Sequence, residues 1–394
     1  MSLRTLLVAG LATSASAAKL LVGGYGPTSA TNANGYIDTL DYTNGALKKI
    51  SENTEAGAQP AWIDLGLKGK ALVIDESWNT PDSSSLHTFA LNADGTVNHT
   101  AVVSIPRGGP VSTQLYNANK NLAIAHYGGH GLTTFSNVNG AFTLLQNIGY
   151  ENRTTGPKPQ QQDGSHVHHS VLDPTGQYLL FPDLGLDATH IFCIDSTTGK
   201  LVEHADLKAP TGYGPRHATF WTSGRKTFLF VIHELVSKII SYQVHYAPAG
   251  GLTFTTVDEQ STYGPAVDPA TTQYGAAAEL ALSPDARFLL ASNRNVTLAQ
   301  VPNVDPANGT RVASDSIATF KPAADGRLAW VQIAPSGGLF PRHFEVSRDG
   351  GWIAVANQKS GNVRLYRRDV RSGRIGAQVG AVAVGGEPNN VRWL

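Results

Sequence analysis

Histidine, arginine and carboxylate side chains crowd into a few short segments of the chain. These are His166-Val167-His168-His169, residues 183–187 with Asp183 and Asp187, Pro215-Arg216-His217, His233-Glu234, Asn293-Arg294 and Pro341-Arg342-His343. A guanidinium is a permanent cation whose fork of N–H donors matches a carboxylate. An imidazole exchanges protons near neutral pH, and a carboxylate beside cations is a second proton carrier. Brought together, these types would bind an anionic small molecule and move a proton on it. The segments are far apart in sequence, so the question is what fold would collect them.

A repeat supplies the answer. Short strands open at Pro60-Ala61-Trp62-Ile63, Pro110-Val111-Ser112-Thr113, Val167-His168-His169-Ser170 and Pro215-Arg216-His217-Ala218. They recur at Ala277-Ala278-Glu279-Leu280, Pro341-Arg342-His343-Phe344 and Pro388-Asn389-Asn390-Val391. Each of the first six openings leads into a turn such as Asp173-Pro174-Thr175-Gly176 or Arg348-Asp349-Gly350, then into a very apolar second strand. A second turn follows, so each unit holds about four strands, the content of a propeller blade. Seven openings predict an all-β, seven-bladed β-propeller over residues 19–394. The last unit stops after one strand, and an unfinished blade would expose sheet edges. The segments 20–25, 35–42 and 46–50 can supply the missing strands, so N-terminal strands should pair with the C-terminal one and close the ring.

Composition agrees. Thirty Lys and Arg balance thirty Asp and Glu, which removes the electrostatic footprint of a nucleic-acid binder. Charged residues are only 15% of the chain and glycines number 41, a profile of short strands and turns rather than of helical bundles or disorder.

In an antiparallel blade, the start of the inner strand and the end of the second strand share one face. His168, Arg216, His217, Arg342 and His343 take the first position. Asp183 to Asp187, His233-Glu234, Asn293-Arg294 and Asn357-Gln358 take the second. Both sets should surround one mouth of the central channel, where a small anionic ligand would bind.

The run from His166 to Gly176, followed by Pro182-Asp183-Leu184-Gly185-Leu186-Asp187, resembles the seven-bladed propeller lactonase family. Gly214-Pro215-Arg216-His217, His233-Glu234-Leu235, Ser283-Pro284-Asp285 through Ser292-Asn293-Arg294, and Pro341-Arg342-His343-Phe344 are similar to it in the same order. That family includes bacterial-type 6-phosphogluconolactonases and the fungal 3-carboxy-cis,cis-muconate lactonising enzyme. The resemblance implies His168, Arg216, Glu234 and Arg294 as catalytic residues. His217, Arg342, His343, Asp183 and Asn293 are expected to bind substrate. No cofactor and no metal is expected. Three departures bear on the substrate: His126-Tyr127-Gly128 stands where the family often has Asn-Tyr-Gly, a second histidine, His169, follows His168, and a long Gln/Pro-rich loop spans 152–164.

Each residue also has a structural role open to it. His168 and Glu234 could be strand-end hydrogen-bonding groups, Arg216 and Arg294 inter-blade ion-pair partners, and Asp183 and Asp187 turn caps. Arg342-His343 could be a blade echo of Arg216-His217.

Before the first strand, Arg4, an apolar run from Leu6 to Ala12 and Ala15-Ser16-Ala17 read as a cleavable export signal over 1–18. The run is too short to span a membrane, so no membrane span is expected and the protein should be secreted or held in the cell wall. Cys193 is the only cysteine, so no internal disulfide can form. Asn98, Asn152, Asn295 and Asn308 begin glycosylation sequons.

The resemblance therefore implies, first, an exported lactonising isomerase like the 3-carboxymuconate cyclase. In that reaction a carboxylate adds across a conjugated double bond while a proton moves at carbon. A lactone hydrolase of the 6-phosphogluconolactonase type needs nearly the same residues. A non-catalytic surface glycoprotein on the same fold, with cell-surface or host-matrix contacts, is the third reading. The expected partner in the first two is a small carboxylate or lactone.

Overall fold

The computed structural model describes residues 18–26, 34–77, 84–151, 156–247 and 250–394. Residues 1–17 of the expected export signal and the sequon residue Asn152 lie outside the described residues.

Seven four-stranded antiparallel sheets form the ring. Blades 1 to 6 occupy residues 60–104, 110–149, 171–208, 215–261, 276–335 and 341–383. Blade 7 joins three N-terminal strands, Ala18–Tyr25, Tyr36–Thr43 and Ala46–Asn53, to the C-terminal strand Glu387–Trp393. That last strand is innermost and pairs with Ala18–Tyr25, so the ring closes as the incomplete seventh unit requires.

The apolar second strands are apolar throughout because both their faces are buried. In blade 3, Leu179 and Phe181 pack toward blade 2, while Tyr178 and Leu180 pack toward blade 4. The core is accordingly seven separate clusters, one at each blade-to-blade interface.

Two features depart from the simple repeat. Blade 5 contains an inserted hairpin, Ala299–Pro302 with Arg311–Ser314, which accounts for the long interval before Pro341. The inner strand of blade 3 is reduced to Val171–Leu172, and its expected opening at Val167 pairs with the sheet through an isolated bridge to Asp183.

A third feature positions the site. In every blade the pairing of inner and second strand slips by one residue near the mouth: at Ala61, Val111, Arg216, Arg342 and Asn389, between Ala277 and Leu280, and between Val167 and Val171. Successive residues of a regular strand face opposite ways, and a bulge re-aims one of them. Arg216 and His217, like Arg342 and His343, thus line the same axial cavity although they are neighbours in sequence.

Candidate active site

Glu234 follows the second strand of blade 4, where a single 3-10 turn, Glu234–Val236, reverses the chain at the mouth. Its Oε2 lies 2.9 Å from Nε of Arg216 and 2.8 Å from a terminal nitrogen of Arg294. Arg216 comes from the bulge of the same blade and Arg294 from the end of the second strand of blade 5. Both guanidiniums are almost wholly buried, whereas the Glu234 side chain keeps 18% of its surface open to solvent. The carboxylate therefore faces the mouth with a cation on each side. Burial and the neighbouring Arg294 lower the pKa of Arg216, against the raising effect of Glu234.

His168 lines the same cavity as Arg216. Its Nδ1 is buried with no hydrogen-bond partner, and its ring stands edge-on to Tyr127 at 5.5 Å. Burial, reinforced by Arg216, His217 and Arg342, pushes its pKa well below the usual 6.5, so the imidazole is neutral. In the same cavity, Nδ1 of His217 lies 3.0 Å from Glu279, leaving its Nε2 to accept from Arg216 at 3.3 Å. His343 approaches the other oxygen of Glu279 at 3.6 Å. Trp62 packs edge-on against both of these imidazoles and against His169.

Arg342 donates to the hydroxyl of Tyr25 at 2.8 Å and pairs with Glu76 at 3.3 Å, and Tyr25 in turn bonds Glu76. Burial pulls the Arg342 pKa down, but Tyr25 and Glu76 outweigh it and the net shift is upward.

The four expected catalytic residues thus meet at one mouth, and His217, Arg342 and His343 lie beside them. Asp183 is committed to the fold rather than to a ligand. Asp183 is fully buried and accepts from Ser165, from the backbone of His166, Gly185 and Leu186, and from His190, which leaves it no free lone pair. Its work is to fix the segment leading to His168. Asn293 is also fully buried and its Nδ2 donates to Thr262 and Ser316, while its Oδ1 is buried with no hydrogen-bond partner. Asp187 accepts from Gly212 and Gly214 and so shapes the entry to Arg216.

Glu76, Tyr127, Tyr25 and Glu279 stand beside the expected site residues, though the sequence reading gives none of the four a site role. Glu76 and Tyr127 stand one residue past the second strands of blades 1 and 2, the position Glu234 holds in blade 4. The rule that found Glu234 finds them once it is applied to every blade. Among the described residues, no group of three His, Cys, Asp or Glu side chains is placed to hold a metal ion, and no helix is long and apolar enough to cross a membrane. Asn98, Asn295 and Asn308 are exposed.

The chain is similar to a probable 6-phosphogluconolactonase of Arthroderma benhamiae, with 27% identity over 92% of this chain and 87% of that protein. A 6-phosphogluconolactonase of Formosa agariphila is 29% identical over 68% of this chain and 69% of its own. Among solved structures, a putative 6-phosphogluconolactonase of Bacteroides fragilis superposes with a TM-score of 0.78 at 24% identity, covering 96% of this chain and 98% of its own. The family model described as Lactonase, 7-bladed beta-propeller matches residues 19–393. The chain belongs to the seven-bladed β-propeller lactonase family.

Proposed function

We propose that the protein hydrolyses a lactone at the mouth where Arg216 and Arg294 grip Glu234. The carrying observation is that grip, a solvent-facing carboxylate held at 2.9 and 2.8 Å by two buried guanidiniums. In this reading the lactone carbonyl oxygen lies against the guanidiniums, which stabilise the negative charge formed when water adds to the carbonyl carbon. Sharing the cations with that oxygen frees Glu234 to take the proton of the attacking water. Collapse of the adduct breaks the ring C–O bond, and the proton passes to the departing alkoxide, giving an open-chain hydroxy acid. His168 stays neutral and offers one nitrogen to hold the water or a substrate hydroxyl.

The names of the two relatives above support hydrolysis over muconate cyclisation, which would use the same four residues. The leader over 1–18 supports an exported enzyme, and an exported enzyme fits an unphosphorylated lactone better than an intracellular sugar phosphate. The test incubates purified protein, with and without chelator, with gluconolactone, 6-phosphogluconolactone, 3-carboxymuconolactone and 3-carboxymuconate. Chelator-insensitive formation of hydroxy acid from a lactone is the expected result. Turnover of 3-carboxymuconate alone would replace hydrolysis by cyclisation, and no turnover of any of them would sink both.

A further inference from the structure

Phe340 carries a backbone φ of 63°, inside the left-handed region. That region is a genuine outlier for a bulky residue, and such conformations persist where the surroundings over-determine them. Here they do. The N–H of Phe340 donates to Asp315 Oδ2 at 2.7 Å, and its carbonyl accepts from Gln358 at 2.9 Å. The same Asp315 oxygen accepts from the N–H of Asn295, the residue directly after Arg294, at 3.2 Å. One buried carboxylate thus ties the backbone bearing Phe340 to the backbone bearing Arg294. The strained conformation brings the Phe340 ring under the Arg294 guanidinium, 4.5 Å from its centroid.

Lys359 stands 4.3 Å from the same centroid, so the ring already serves two cations. We propose that Phe340 is a positioning residue: its ring supports the Arg294 guanidinium and fixes the angle at which it meets Glu234. Arg294 also donates to the carbonyls of Ala276 and Ala277, at 3.1 and 3.4 Å. Those two bonds hold the guanidinium along its edge, and the aromatic face supplies the support out of its plane. The inference rests on the proposed role of Arg294 in hydrolysis.

Three variants test it, because each keeps the backbone bonds to Asp315 and Gln358. Phe340→Leu removes the ring and keeps apolar bulk, and kcat/KM for the hydrolysed lactone should fall roughly tenfold. Phe340→Tyr keeps the ring and should stay within about twofold of wild type. Phe340→Gly relieves the backbone strain. It should lose at least as much activity as the Leu variant while melting no lower than that variant. A purely structural role predicts instead that activity follows melting temperature through all three. A crystal structure of the Leu variant gives a readout apart from turnover, with the Arg294–Glu234 contact expected to lengthen or break. Wild-type kcat/KM in the Leu variant, or an unmoved Arg294, overturns the inference. If wild type opens no lactone, the hydrolase reading fails by itself and the position of Arg294 in that crystal structure alone decides the role of Phe340.

Discussion

Replacing Glu234 by Gln removes the negative charge held between Arg216 and Arg294, and with it the proposed proton acceptor. We expect kcat/KM to fall by about 10²-fold or more, with a similar loss in Arg216→Ala and an unchanged far-ultraviolet circular dichroism spectrum in both. Steady-state kinetics on a hydrolysed lactone checks this. The pH profile carries a second expectation. The pKa of His168 is depressed in the folded protein, so its neutral form is present above that low value and is lost only as the pH falls through it. Activity should therefore persist well below pH 6.5. An acid limb centred at 6.5 that disappears in His168→Gln would contradict the assignment. Residue types at strand ends place Arg216, Glu234 and Arg294 at the mouth from the sequence alone. They misled for Asp183, because a carboxylate that completes a loop and one that faces a ligand look alike in sequence. The partners of Asp183, such as Ser165 and His190, become visible only in three dimensions.

Blade 3 compensates for its shortened inner strand with an electrostatic clamp. His190 is buried between Asp183, at 3.1 Å, and Asp206, at 3.0 Å, with the ring of Tyr150 stacked on it at 4.1 Å. Burial lowers its pKa, but the hydrogen bonds and charges of the two aspartates prevail and raise it to about 9. Because the folded value lies above the ordinary 6.5, the clamp stabilises fully below about pH 6.5 and is lost as the pH rises through about 9. His190→Gln should cost about 3 kcal/mol near neutrality. It should also flatten the fall in melting temperature between pH 7 and 10, as differential scanning calorimetry at several pH values would show. Blade positions and turns were legible at this scale because Pro, Gly and Asp mark them. The one-residue slips that aim Arg216 and His217 into one cavity were not. A slip of register adds a single residue and leaves no compositional trace.

Ring closure depends on a strand of seven residues. Val391 is fully buried against Leu20, Val22 and the second strand of blade 6, and Trp393 donates to Glu345 of that blade. Deleting residues 387–394 should open the ring, expose the unpaired edge of Ala18–Tyr25 and abolish the cooperative melting transition, with aggregation detectable by light scattering. Closure could be foreseen because the C-terminal unit lacked three strands and the N-terminal segment offered three. The same joint completes the mouth, since Tyr25 lies on the strand that Glu387–Trp393 covers and its hydroxyl receives Arg342. That covering strand follows every other strand of the ring in chain order, so a polypeptide released before it carries nearly every group of the mouth yet has no latch. Such a fragment would be inert, its pieces all present and nothing holding them in a circle.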